Sequence, residues 1–186
     1  LGVPYAEPVS RFVPPQPRQA WEGVFEAVEP GPCAPHRITP IPAIDAIPLV
    51  GEGGSGSKDY LRLNVWAPEG AEGLPVMVWL HGGGFVVGSK DAPVHDGSSF
   101  ARSGVVCVAI NYRMGIDGFL PVPGTPTNLG LRDMLFALEW VRDNRSYHYL
   151  IDRFGRVFRI VEEASAANHA GRSVWADSGG VYLNLN

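Results

Sequence analysis

Cysteine is scarce in this sequence, long apolar runs and an excess of positive charge are missing, and each of these features excludes a class of protein. The two cysteines, Cys33 and Cys107, are too few for a disulfide framework. No segment approaches the roughly 18 consecutive apolar residues that a membrane-spanning helix needs. The net charge is −4, so no basic surface is indicated for binding nucleic acid or an anionic membrane. We therefore predict neither as a partner, and nothing in the sequence indicates a cellular compartment.

Proline is also missing, but only from the C-terminal part of the chain. All 17 prolines lie in the first 126 residues, and 11 of them in the first 48. Prolines at this density break helices and interrupt strand pairing, so residues 1–57 are predicted to form extended segments and turns. The excess of acidic over basic residues also ends near Arg145. Both changes favour a boundary there, which predicts two domains, residues 1–144 and residues 145–186.

The middle of the chain has the pattern of an α/β domain. Residues 61–67 (LRLNVWA) alternate apolar and polar side chains, which predicts a strand with one wet face. Residues 75–80 (PVMVWL) and 105–110 (VVCVAI) are continuous apolar runs. Such runs are typical of strands that are buried on both faces of a parallel sheet.

The clearest helix is predicted at residues 129–144, with Asn128 as its N-cap. The apolar residues of this segment recur at helical spacing, and they are Leu131, Leu135, Leu138 and Val141. Together with the preceding strands, this helix predicts an α/β fold class.

A glycine-rich pentapeptide, residues 81–85 (HGGGF), directly follows the strand predicted at 75–80. Glycines in such a loop allow backbone conformations that are closed to other residues, and they leave amide N–H groups uncovered. N–H groups that point into a pocket can stabilise the oxyanion of a tetrahedral intermediate. In α/β-hydrolases a loop of this kind follows the third strand. For the pentapeptide alone, a glycine turn without chemistry remains the alternative.

The segments around the pentapeptide match a known family in order and spacing. They are GVPYAEP (2–8), LRLNVWAP (61–68), LPVMVWLHGGGFVVGS (74–89), INYRMG (110–115), NLGLRD (128–133) and ALEWVRDN (137–144). On these motifs, residues 1–144 resemble the type B carboxylesterase family. The resemblance implies an α/β-hydrolase fold, hydrolysis of a small-molecule carboxylic ester through an acyl-serine intermediate, and no cofactor. It also implies that the N–H groups of Gly83 and Gly84 are catalytic oxyanion donors and that His81 is a structural histidine under the loop.

The catalytic triad of that family is not found in this sequence. The family needs a serine in a G-x-S-x-G turn, then an acidic residue, then a histidine. No G-x-S-x-G occurs, and the nearest string, ADSGG at residues 176–180, follows no predicted strand. We therefore expect a hydrolase by lineage that is inactive in the form given by the sequence.

Residues after the predicted boundary resemble a different family. Residues 146–161 (SYHYLIDRFGRVFRIV) predict a β-hairpin with a glycine-containing turn. With ANHAGR at 167–172, they resemble the middle of zinc-dependent N-acetylmuramoyl-L-alanine amidases. This resemblance implies that Tyr147 is a catalytic tyrosine and that His169 contacts a peptidoglycan substrate. The zinc-ligand histidines of that family are missing, so no metal ligand is predicted, and zinc is expected only if the amidase alternative holds.

Together these patterns predict an incomplete α/β-hydrolase sheet with an appended α+β segment that contains a β-hairpin. A truncated or chimeric chain, joined near Asn144–Ser146, would give this arrangement. The alternatives are an amidase or peptidoglycan-binding fragment, and a non-catalytic fusion or gene-prediction artefact. An incomplete sheet has an unpaired edge, so self-association through that edge is expected unless the hairpin covers it.

Overall fold

The computed structural model describes most of the first 144 residues and four short strands after them. The described residues are 1–22, 24–39, 42–54, 56–71, 73–144, 149–151, 157–159, 174–176 and 182–184. Tyr147 and His169 lie outside these ranges. None of the described helices is long and apolar enough to cross a membrane.

The helices and strands of the described residues are short, apart from one helix. The strands are β1 (Val3–Pro4), β2 (Arg62–Trp66), β3 (Val76–Leu80), β4 (Val106–Ile110), β5 (Tyr149–Ile151), β6 (Val157–Arg159), β7 (Val174–Ala176) and β8 (Tyr182–Asn184). The helices are α1 (Ile47–Val50), α2 (Ser98–Arg102), α3 (Gly115–Phe119) and α4 (Leu129–Asn144), with a 3₁₀ turn at Pro93–His95.

Strands β1 to β4 form one mixed sheet in the order β1-β2-β4-β3. Strands β3 and β4 run parallel, with Val78 opposite Val108. Strand β2 runs antiparallel to β4, and β1 runs antiparallel to β2. The three predicted strands all exist, and the two apolar runs, β3 and β4, pair parallel as expected. A mixed sheet with helices agrees with the predicted partial α/β fold.

Strand β4 lies at the centre of the core, and all five of its residues are buried. Helix α4 buries Met134, Ala137, Leu138 and Val141 in the same core. The predicted apolar face of α4 was therefore wrong at Leu131, which is exposed. The helix buries Asp133 and Met134 instead, because Asp133 forms a buried ion pair with Arg113.

The predicted wet face of β2 was also wrong. Asn64 is only 2% exposed, although its neighbours in the sequence pattern suggested solvent. Its amide oxygen accepts the N–H of Gly2 at 2.8 Å, and its amide nitrogen donates to Asp91 at 2.8 Å. The N-terminal segment and the chain around Asp91 therefore cover this face of the strand.

The predicted burial of strand β3 on both faces holds only in part, since Met77 is half-buried between two buried valines. Val76 and Val78 are buried, whereas Trp79 and Leu80 are 39% and 37% exposed. The reason is its place at the end of the four-stranded sheet. Cα atoms of β5 lie within 8 Å of Cα atoms of β3.

Strands β5 and β6 pair antiparallel, with Leu150 opposite Phe158. A second antiparallel pair joins β7 and β8. The turn expected between β5 and β6 lies outside the described residues, so the appended hairpin segment stays a prediction.

Candidate functional site

The loop from His81 to Gly88 leaves strand β3 in an unusual backbone conformation. Gly83, Gly84, Phe85 and Gly88 all have positive φ angles, between 62° and 129°. At Gly83, a Cβ atom would overlap the carbonyl oxygen of Val87, so only glycine fits this position. Gly83 and Gly84 therefore have a structural reason that the sequence pattern indicated only in general terms, whereas the structure shows none for Gly82.

The N–H groups of Gly83 and Gly84 have no backbone acceptor among the described residues. The carbonyl of Gly83 accepts the N–H groups of Val86 and Val87, each at 3.1 Å. In a trans peptide unit the C=O and the N–H point in opposite directions. The N–H of Gly84 therefore points away from the turn, and Gly84 itself is exposed. Both predicted oxyanion donors thus lie side by side, and neither has a backbone acceptor in the described part of the chain.

His81 lies beneath the loop and is 3% exposed. Its Nδ1 is 3.0 Å from the carbonyl oxygen of Gly82. Its ring stacks on Tyr112, with ring centroids 4.4 Å apart and an angle of 12° between the planes. The hydroxyl of Tyr112 also donates to the carbonyl of His81 at 2.8 Å. Burial lowers the pKa of His81 to about 4, so the ring is neutral at pH 7, which agrees with a structural role.

Exposed apolar side chains lie on the loop that carries the Gly83 and Gly84 N–H groups and on helix α3 beside it. Phe85 is exposed and contacts Phe119, with ring centroids 4.8 Å apart. Val86 and Ile116 are also exposed. The carbonyl of Phe85 accepts the N–H of Gly115 at 2.7 Å, which joins the loop to the start of α3. The site can therefore contact an apolar group while its N–H donors contact an oxygen atom.

A buried ion pair holds the chain that supports the loop. The Arg113 guanidinium donates to both oxygens of Asp133, at 2.8 and 2.6 Å, and both side chains are at most 1% exposed. The backbone N–H of Arg113 donates to the same carboxylate at 2.9 Å, and the guanidinium also reaches the carbonyl of Val13 at 2.6 Å. Burial raises the pKa of Asp133, and the Arg113 guanidinium opposes that rise. Tyr112 and Gly115 lie within two residues of Arg113, so the ion pair anchors the segment that makes both contacts with the loop.

Sequence reasoning missed this ion pair, although both residues lie in motifs that carried the resemblance. A second buried charge, Lys90, follows the loop and was also missed. Its ammonium group donates to both oxygens of Asp91, at 2.7 and 2.8 Å, and to the carbonyl of Pro30 at 2.7 Å. Burial lowers the pKa of Lys90, and the Asp91 carboxylate opposes that change. This pair holds the C-terminal end of the loop.

No pair of nucleophile and base is found within the described residues. In that part of the chain, no serine or cysteine side chain hydrogen-bonds to a histidine ring. No group of three or more His, Cys, Asp or Glu side chains there is placed to hold a metal ion. The predicted residues Tyr147 and His169, and Ser178 of the ADSGG string, lie outside the described residues. The structure therefore brings together Gly83 and Gly84 and leaves the other predicted site residues untested.

Comparisons with known proteins agree with the predicted carboxylesterase resemblance. The sequence profile described as the Carboxylesterase family matches residues 1–155. Acetylcholinesterase of Electrophorus electricus is 39% identical over 178 residues, covering 90% of this chain and 28% of its own. Fumonisin B1 esterase of Sphingopyxis macrogoltabida is 41% identical over 158 residues, covering 77% of this chain and 28% of its own. Para-nitrobenzyl esterase of Bacillus subtilis is 42% identical over 155 residues, covering 78% of this chain and 30% of its own.

The chain spans less than a third of the length of these relatives. The family profile extends to residue 155 and so passes the boundary predicted after residue 144. The comparisons give no support to the amidase resemblance of residues 146–172 or to a chimeric join. Both stay predictions from the sequence alone.

Proposed function

This chain belongs to the carboxylesterase family, and we propose that its loop at residues 81–85 is the oxyanion-hole part of a carboxylic ester hydrolase. The observation that carries the proposal is the pair of adjacent N–H groups, of Gly83 and Gly84, that have no backbone acceptor among the described residues. Fixed donors of this kind stabilise the negative charge that develops on a carbonyl oxygen during acyl transfer. The loss of one donor typically costs about 3 kcal/mol of barrier.

The expected substrate is a small-molecule carboxylic ester. Exposed Phe85, Val86 and Ile116 lie on the loop and on helix α3 beside it, so an apolar acyl or alcohol group can pack there while the ester carbonyl meets the N–H groups. Enzymes of the family generally need no cofactor. The acylation step would need a serine hydroxyl activated by a histidine.

We expect no turnover from the 186 residues alone, because the sequence contains no G-x-S-x-G turn. Donors for an oxyanion cannot replace the attacking group, and removal of a serine nucleophile typically costs about a millionfold in kcat. The first test combines a fluorophosphonate probe with a p-nitrophenyl acyl ester assay. We expect neither labelling nor hydrolysis above background, and stoichiometric labelling of any serine would contradict this expectation.

The oxyanion-hole proposal itself is tested in a graft that supplies the missing nucleophile. Residues 1–144 would replace the aligned N-terminal part of Bacillus subtilis para-nitrobenzyl esterase, and hydrolysis of p-nitrophenyl acetate would be measured. We expect an active graft in which Gly83→Ala lowers kcat by about 10²–10³-fold, because the added Cβ would overlap the Val87 carbonyl oxygen and displace the N–H donors of the loop. Gly104→Ala is the matched control, since Gly104 also has a positive φ but lies outside the loop with open space around it. Equal activity of the two variants would rule out a role for the Gly83 N–H.

The amidase-like interpretation of residues 146–186 is a separate proposal that rests on sequence strings alone. It predicts zinc in the purified chain and binding of muropeptides through Tyr147 and His169. Sub-stoichiometric zinc by elemental analysis, with no muropeptide binding, would remove it. The chimera hypothesis is tested by sequencing genomic DNA across the Asn144–Arg145 codons, where a frameshift would support it.

A further inference from the structure

We propose that His81 is a positioning residue that fixes the direction of the Gly83 N–H by holding the carbonyl of Gly82. This inference rests on the proposed function, because it explains how one of the two oxyanion donors is kept available. It assigns hydrogen-bond donation to the Nδ1–H of the imidazole. It gives the ring no role in proton transfer.

The argument starts from the peptide unit between Gly82 and Gly83. Its carbonyl oxygen lies 3.0 Å from Nδ1 of His81, on the buried side of the loop. A carbonyl oxygen only accepts hydrogen bonds, so Nδ1 must carry the proton and donate it. The N–H at the other end of the same trans peptide points in the opposite direction. The hydrogen bond from His81 therefore turns the N–H of Gly83 away from the buried ring.

Glycine cannot hold this orientation by itself. Gly82 and Gly83 have no side chains to restrict the rotation of the peptide between them, and glycine populates many backbone conformations. Gly83 has a φ of 116°, which other residues rarely adopt. A fixed external donor is needed to select one orientation of this peptide, and Nδ1 of His81 is that donor.

The imidazole is itself held on two sides. Its ring stacks on Tyr112, and the Tyr112 hydroxyl donates to the His81 carbonyl at 2.8 Å. Gly88 packs directly against the hydrogen bond, since a Cβ atom there would overlap both Nδ1 of His81 and the carbonyl oxygen of Gly82. Gly88 is thus the residue whose lack of a side chain leaves room for the contact.

This arrangement has a spectroscopic signature. A neutral imidazole with its proton on Nδ1 has no proton on Nε2, and the Nε2 of His81 is buried without a partner among the described residues. The experiment uses the full chain, labelled with nitrogen-15. Spectra that correlate the imidazole ring protons with the ring nitrogens through two-bond couplings report the tautomer. Residual dipolar couplings report the direction of the Gly83 N–H.

The test compares His81→Asn, whose side-chain amide can donate from a position close to Nδ1, with His81→Leu, which cannot donate. We expect the Nδ1–H tautomer in the unsubstituted chain. We also expect the Gly83 dipolar coupling to change in His81→Leu and to stay close to its original value in His81→Asn. A Gly83 coupling that is unchanged in both variants, or changed equally in both, would overturn the proposal, and so would the Nε2–H tautomer.

Gly88→Ala decides the question if His81→Leu does not fold. Its added methyl group would displace the hydrogen bond while the imidazole stays in the chain, so the Gly83 coupling should change here too, and an unchanged coupling would contradict the inference. In the esterase graft, His81→Leu should lower kcat with little change in KM, and His81→Asn should restore it. An inactive graft with His81 present would count against the proposed function alone, because the tautomer and the couplings are measured without turnover.

Discussion

Neighbouring glycines of the loop differ in what a side chain would meet. At Gly83 a Cβ atom would overlap the Val87 carbonyl oxygen, whereas at Gly84 it would meet nothing within 4 Å. Substitution of Gly83 thus disrupts the turn, while substitution of Gly84 costs only the strain of a positive φ. The loop geometry depends most on Gly83 and Gly88, where other chain atoms lie closest.

The buried His81 gives the stability of the chain a specific pH dependence. Burial lowers its pKa from 6.5 to about 4, so between these values the unfolded chain binds a proton that the folded chain does not. Stability should therefore fall as pH decreases from about 6.5 to 4 and gain nothing from this group above that window. The full effect is on the order of 3 kcal/mol.

Urea denaturation at several pH values between 4 and 7 measures this effect, with His81→Asn as the comparison. The variant has no titrating group at this position, so its unfolding free energy should depend less on pH across the window. A pH dependence identical to that of the unsubstituted chain would show that burial of His81 does not set it.

At the scale of elements, the helix α4 and the chain after β4 are joined by the buried Arg113–Asp133 pair. Asp133→Asn leaves the Arg113 guanidinium buried without an opposite charge, and we expect a loss of about 3–5 kcal/mol in the free energy of unfolding. The matched control is Asp117→Asn, because Asp117 pairs with Arg11, which is 75% exposed. That variant should lose less than about 1 kcal/mol. Similar urea midpoints for the two variants would contradict the structural importance of the buried pair.

The elements that could be predicted from the sequence are those whose apolar pattern is local. Strand β4 and helix α4 were predicted close to their observed bounds, since continuous apolar runs and helical spacing are read within a few residues. The burial of Asn64 and Asp133 could not be predicted this way. Each is buried because a partner distant in sequence, Asp91 or Arg113, satisfies it, and no local pattern contains that information.

The same limit applied to the candidate site. The glycine pattern of residues 81–85 predicted uncovered N–H groups, because that property follows from the residue type. It gave no sign of which carbonyls of the loop are held, since those contacts involve His81, Val86 and Val87 in one folded turn. The sequence therefore predicted which residues form the loop, but not how the loop folds.

At the scale of the whole molecule, the outer edge of β3 is the surface that we expect to associate. Within the described residues, β3 pairs with β4 on one side only, and Trp79 and Leu80 at its end are exposed. An exposed, apolar strand edge is a site for pairing with another chain. Strand β5 lies near β3, and it belongs to the antiparallel pair β5–β6. We therefore expect β5 to shield this edge.

We therefore expect residues 1–144 alone to self-associate more than the full chain does. Sedimentation velocity over a range of concentrations measures this, with circular dichroism to verify that both chains fold. Leu80→Lys in the shorter chain should restore the monomer, because a charge on a strand edge opposes pairing, and the exposed Val24→Lys far from β3 in the sequence is its control. If the shorter chain stays monomeric, or if both substitutions act alike, then the edge of β3 is not the surface that associates. A difference confined to Leu80→Lys would instead identify the edge of β3 as the associating surface and support β5 as its cover in the full chain.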